Sequence, residues 1–187
     1  MSEQTLKELM VTDVLIVHLA DSMQDVFPKI TELPDRFVVI LDDEDVPLYL
    51  TTGSEMRSKM PRSLSWPAVG DFAARLPEAL LVDENVTIDR AMVFFGAQPK
   101  GLVVMHDAEV VGIVPYEVLT DYYSERIVPE LTAKGHTVRA GQPVTIASAI
   151  FQCRRHPRCS FEITAASVDV PPLCGVQAAH GHTRLKA

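Results

Sequence analysis

Shifted by 65 residues, part of the chain matches itself without gaps. Residues 36–50 read RFVVILDDEDVPLYL, and 101–115 read GLVVMHDAEVVGIVP. Val38 and Val39 fall on Val103 and Val104, Asp42 on Asp107, Glu44 on Glu109 and Val46 on Val111. Upstream, Val17 falls on Val82 and Ser22 on Thr87. An internal duplication of this kind points to two like units packed face to face about a pseudo-twofold axis, each covering the other's apolar surface.

The two copies share one order of elements. A short apolar strand opens each (Val14–Val17, Ala79–Val82), and Ser22 or Thr87 supplies a side-chain oxygen that caps a following helix. An apolar strand follows (Phe37–Leu41, Leu102–His106), then an acidic turn and a return strand (Val46–Leu50, Val110–Val114), which together read as a β-hairpin. A second helical stretch completes each copy (Ser54–Met60, Tyr116–Glu125). The expected fold is α+β: two β-α-β-β-α units over 5–60 and 79–127, with 61–78 as a proline-bearing linker. A cleft between duplicated units is a natural place for a ligand.

The element order, the strand ending VV-x-x-D and the following VVGIV resemble a CBS domain, and two in tandem resemble a Bateman module. The resemblance covers roughly residues 5–127 and is better for the second copy, since Pro47 stands in the first for the glycine at 112. It implies a regulatory, non-catalytic fold that takes adenine nucleotides or related adenosyl compounds between the copies and forms homodimers. The family places Thr or Ser after GIV, for phosphate, and Asp three residues later, for the ribose diol. Here those positions read Pro115 and Val118 in the second copy and, by the gapless match, Leu50 and Gly53 in the first. Without a carboxylate to accept from the diol, AMP and ATP binding is expected to be weak or absent, with Thr51, Thr52 and Ser54 as substitute hydroxyls.

The end of the chain is of another kind. All three cysteines (Cys153, Cys159, Cys174) and three of the six histidines (His156, His180, His182) lie in the last 35 residues. Five residues separate Cys153 from Cys159, and five separate Cys174 from His180, with fourteen between the pairs. Two ligand-bearing turns joined by a hairpin are the logic of a zinc ribbon, and a closed set of Cys and His makes a structural site with no position for water. So short a segment has no adequate apolar core of its own, so a metal would supply its stability. Residues 149–187 are therefore expected to form a zinc-ribbon-like tail after a linker at 128–148, with Cys153, Cys159, Cys174 and His180 as ligands. His156 and His182 are the competing donors.

Charge divides the same way: residues 1–125 carry −13, residues 126–187 carry +5, and the chain −8. The acidic body argues against wrapping nucleic acid. The basic tail either balances the body or docks a protein partner. In that second reading the chain is a dimerising adaptor with a degenerate pocket, and its basic ribbon meets a protein or nucleic-acid partner. Composition is ordinary for a globular protein, 47% apolar and 22% charged. No apolar run is long enough for a spanning helix. The start, MSEQTLKELM, lacks the basic-then-apolar pattern of a signal peptide, so the cytoplasm is the expected compartment. No P-loop, G-x-G-x-x-G or G-x-S-x-G occurs, and no catalytic residue is expected. His18 and His106 read as packed or rim residues, the Asp42–Asp45 run as a solvated turn, and Trp66 as a packing residue in the linker.

Overall fold

The computed structural model describes residues 4–61, 67–91, 93–94, 99–127, 149–155, 158–165, 171–177 and 180–186. Repeat 1 is a three-stranded sheet in the order β1 (Leu15–His18), β2 (Phe37–Leu41), β3 (Pro47–Thr52), with α1 (Met23–Glu32) and α2 (Gly53–Lys59). Repeat 2 repeats it with β4 (Leu80–Asp83), β5 (Gly101–His106) and β6 (Glu109–Pro115), and with α4 (Ile88–Ala91) and α5 (Tyr116–Tyr122). In each, the first strand runs parallel to the central one and the third returns antiparallel. Ser22 caps α1, its Oγ accepting from the Gln24 N–H at 3.2 Å.

The gapless match is out of register with the structure. Val17 and Val82, 65 apart, are equivalent, but their partners Ile40 and Val104 are 64 apart, and the next partners, Tyr49 and Gly112, are 63 apart. Repeat 1 has one extra residue between its first two strands. It has another in the hairpin, where the Asp42 N–H closes on Val46 O around three residues, whereas His106 pairs with Glu109 around two. A one-residue slip turns every strand side chain to the opposite face. Val38 is therefore equivalent to Leu102, and Val39 to Val103. Similarly, Tyr49 rather than Pro47 stands where the second copy has Gly112. A Cβ at Gly112 would run into the Met10 side chain, because the lead-in lies alongside that strand with Val11 bridged to Ile113.

Two of the faces form helix-covered cores, one holding Val17, Val38 and Ile40, the other Val82, Leu102 and Val104. The opposite faces meet each other: Val39, Leu41 and Leu50 of repeat 1 pack with Leu81, Val103, Met105 and Ile113 of repeat 2, all 9% exposed or less. That shared apolar layer is the main joint between the repeats. Two left-handed aspartates, Asp45 (φ 62°) and Asp107 (φ 51°), turn the hairpins; a short polar side chain tolerates that conformation better than most.

Each repeat is completed by chain that precedes the other. The segment before repeat 1 gives a 3-10 turn, Leu6–Glu8, whose Leu6 is buried in the core of repeat 2, with its N–H bonded to Val86 O. Part of the stretch expected as a linker, including α3 (Gly70–Ala73), places Val69, Phe72, Ala73 and Leu76 in the core of repeat 1, with the Val69 N–H on Asp21 O. Trp66 and residues 128–148 lie outside the described residues.

The tail adds strands β7 (Ala149–Cys153), β8 (Glu162–Ala165) and β9 (Thr183–Leu185) to the sheet of repeat 2, in the order β6-β5-β4-β9-β7-β8. Phe151 and Leu185 are fully buried in the core of repeat 2, and Phe151 meets Phe94 edge to face at 6.1 Å. The tail thus has a source of stability besides any metal.

Candidate metal centre and inter-repeat cleft

Cys153 ends β7, Cys159 follows the turn after it, Cys174 lies beyond β8, and His180 immediately precedes the β9 approach. The sheet pairing β8-β7-β9 brings these separate turns to one end. Their four ligand atoms lie within 4.8 Å of one another. His180 Nδ1 is 3.5 Å from Cys153 Sγ and 3.7 Å from Cys174 Sγ, and Cys159 Sγ is 3.7 Å from Cys174 Sγ. A tetrahedron with Zn–S of about 2.3 Å and Zn–N of about 2.0–2.1 Å has edges of about 3.8 Å (S···S) and about 3.5 Å (S···N), so this donor set fits one zinc ion. The three cysteines are free thiols and buried.

The turns aim backbone N–H groups at the sulfurs. Arg155 N–H points to Cys153 Sγ at 3.4 Å. Burial pushes the Cys153 thiol up to about 12. Burial acts the same way on Cys174, but there the N–H groups of Gln177 and Val176, with His180 and Cys153, outweigh it and bring the thiol down to about 6. Gly181, at φ +68°, turns the chain back so that its carbonyl receives the Cys174 N–H. His182, a rival ligand by spacing, is engaged elsewhere: its Nδ1 meets Pro171 O at 2.5 Å and its Nε2 lies 3.5 Å from Glu78. His156 lies outside the described residues.

The tail's arginines are turned onto the body. Arg155 pairs with Asp42 at 3.1 Å and with Glu44, and Arg158 pairs with Glu44 at 3.2 Å. Asp42 also accepts the N–H groups of Glu44 and Val46, both at 2.9 Å, closing the repeat 1 hairpin. The acidic run read as a solvated turn is therefore the dock for the tail. Arg154 is buried, and its Nη1 and Nη2 donate to Pro47 O and Ala79 O. Sequence reasoning missed that role; the opposed charges of body and tail were its only trace. His18 and His106 sit at the rim, facing Asp45 at 2.9 Å and Glu84 at 2.5 Å.

The register also relocates the cleft residues. Thr52 lies opposite Phe37 as Pro115 lies opposite Gly101, and each immediately precedes a helix. The repeat 1 counterparts of Pro115 and Val118 are therefore Thr52 and Glu55, not Leu50 and Gly53, so repeat 1 carries both the hydroxyl and the carboxylate that the gapless match denied it. Glu55 accepts from Thr51 Oγ1 at 2.8 Å and from Lys100 Nζ of repeat 2 at 2.6 Å. Burial would raise its carboxyl, but those two hydrogen bonds, with the charges of Lys100 and Lys59, hold it below the usual range. Nearby, a hollow of about 350 Å³ opens between Val11 and Asp13 on one side and the Leu33–Phe37 loop on the other.

Solved structures share the fold. A CBS-domain pair with bound AMP from Klebsiella pneumoniae is 16% identical, covers 65% of this chain and 98% of its own, and superposes with a TM-score of 0.51. The CBS domain of a putative transporter from Clostridium difficile 630 is 18% identical over 68% of this chain and 96% of its own, also at 0.51. The fold is a tandem CBS pair. No family model and no curated protein matches the chain. The cysteine-bearing tail is built onto the second repeat. Among the described residues of this CBS pair, no helix is long and apolar enough to cross a membrane.

Proposed function

We propose that the chain is a non-catalytic regulatory CBS pair that senses a small adenosyl-type ligand in its inter-repeat cleft and carries a structural zinc in its tail. The observation that carries the reading is the strand register, which gives repeat 1 the Thr52 and Glu55 pair at the start of α2, where the Gly53 and Ser54 N–H groups bond to Arg36 O and Pro34 O on the rim of the hollow. A ribose diol would replace Lys100 and Thr51 as donors to Glu55, and Thr52 would offer its hydroxyl to phosphate. That AMP is bound in the Klebsiella CBS pair supports the choice of ligand class. Repeat 2, with Pro115 and Val118, offers neither group, so one ligand per chain is expected. Homodimers belong to the same reading, on the resemblance alone.

The donor set and spacing of Cys153, Cys159, Cys174 and His180 support zinc with four protein ligands, a closed site that holds the tail's turns. The adaptor reading loses ground because Arg154 and Arg155 are turned into the chain, on Pro47 O and Ala79 O and on Asp42, rather than presented to a partner. Calorimetry with AMP and ATP on zinc-loaded protein tests the ligand. The expected result is one site per chain, lost in Glu55→Ala and kept in Val118→Ala. No heat and no thermal stabilisation with either nucleotide would refute it. Elemental analysis of protein purified without chelator tests the metal, with one zinc per chain expected.

A further inference from the structure

Repeat 1 and repeat 2 are joined at one edge of their shared apolar layer by a short antiparallel ladder. The Leu50 N–H donates to Pro77 O at 3.1 Å, the Ala79 N–H donates to Leu48 O at 2.9 Å, and Tyr49 faces Glu78 between them. The Arg154 guanidinium spans the end of this ladder, with Nη1 on Pro47 O at 3.1 Å and Nη2 on Ala79 O at 2.8 Å. Pro47 opens β3 of repeat 1, and Ala79 immediately precedes β4 of repeat 2. One side chain from the tail therefore touches both repeats at their joint.

Arg154 is only 7% exposed, its Nε has no hydrogen-bond partner, and among the described residues no carboxylate pairs with it. A buried cation in that state is costly unless negative charge is supplied close by. Its chain neighbour is Cys153, one of the four clustered ligands. Glu78 and Asp42 act on the guanidinium from beyond ion-pair distance, as does the Cys153 sulfur, and a zinc ion with three thiolates and a neutral imidazole carries one net negative charge that would add to theirs.

Building on the zinc reading above, we infer that the metal centre and the inter-repeat ladder form one coupled unit with Arg154 as its joint, so that metal occupancy regulates how firmly repeat 1 is held against repeat 2. With metal bound, Cys153 is fixed by three other ligands, and the following residue is delivered to both carbonyls with less freedom left to lose. Without it, the four ligand groups share no common bond, and the guanidinium keeps Glu78 and Asp42 but loses the charge of the metal centre. The coupling is reciprocal: metal must bind the open ladder more weakly than the closed one by the factor by which metal favours closing. The regulated quantity is the apposition of the two sheets that bound the cleft.

The test uses the full chain as zinc-loaded wild type, chelator-stripped wild type, and the Arg154→Met and Arg154→Lys variants. Amide hydrogen exchange is read at Leu50 and Ala79, with Val39 and Val104 in the central strands as references. Zinc affinity is measured by competition with a chromophoric chelator, and coordination by the cobalt spectrum. Stripping the metal is expected to speed exchange at Leu50 and Ala79 by about tenfold or more and to leave the references unchanged. Arg154→Met is expected to keep a tetrahedral thiolate–cobalt spectrum but to bind zinc about tenfold more weakly, with Leu50 and Ala79 exchange no longer responding to metal. Arg154→Lys, which keeps the charge and gives up the forked contact, should fall between; with stripped wild type it decides the matter if the Met variant does not fold. Exchange at both amides that ignores zinc in wild type, or variant affinities within about twofold of wild type, overturns the coupling and leaves the zinc site standing. Wild type that takes up neither zinc nor cobalt overturns both.

Discussion

Thr52 and Pro115 hold the same station in the two repeats, each paired with the first residue of its central strand and each the residue before a helix. Their chemistry differs: Thr52 Oγ1 accepts the Glu55 N–H, whereas Pro115 makes no side-chain cap. Thr52→Ala should cost about 1 kcal/mol by loss of the cap. Pro115→Ala removes no cap. Urea denaturation of Thr52→Ala beside Thr52→Ser checks the cap, since serine keeps the accepting hydroxyl; equal losses in the two would contradict it.

Glu55 and Lys100 join α2 to the entry of β5 across the repeats. The Glu55 carboxyl is held below its ordinary value in the folded chain. A depressed folded pKa gives stability that is present above the unfolded value, about 4.5, and lost as pH falls through the lower folded value. Glu55→Gln should therefore cost roughly 0.5–1 kcal/mol at pH 7. At a pH near 3 the gap between variant and wild type should shrink. Denaturation curves at the two pH values measure it; a gap that widens in acid would count against the assignment.

Phe151 belongs to the tail in sequence and to repeat 2 in packing, buried beside Phe94 and Leu185. Phe151→Ala should cost about 3–5 kcal/mol in the unfolding of repeat 2 itself, read by calorimetry. A loss confined to the tail, with repeat 2 melting as before, would show the tail to be an independent unit.

His180 and His182 are two residues apart but differ in surroundings: one faces the sulfurs, the other Pro171 and Glu78. His180→Ala should lower zinc affinity sharply and perturb the cobalt spectrum. His182→Ala should leave both near wild type. The reverse order would reassign the ligand.

Much of the fold was legible because the inner strands are buried on both faces and read as short continuous apolar runs bounded by turn signals. The central strand Phe37–Leu41 was read with its bounds, and Ser22 was read as a cap for its oxygen. The face of each strand was not legible. A gapless match rewards identical letters, and VV aligns on VV equally well one residue out of step; only hydrogen-bond partners show that repeat 1 has two extra residues. That slip hid Glu55 and left Thr52 as one of three substitute hydroxyls. The cysteine spacing pointed to the cluster because ligand chemistry restricts which residues can serve. Arg154 was invisible because nothing local in a sequence tells a buried arginine bonded to distant carbonyls from a solvated one.

The crossing of the two lead-in segments sets a lower limit on what can exist alone. Leu6 fills the core of repeat 2, and Val69 and Phe72 fill that of repeat 1. A chain of half this length would lack one wall of its own interior and could gain it only from a second molecule. Two repeats in one chain make within the molecule an exchange that single repeats could make only in pairs, subject to dilution.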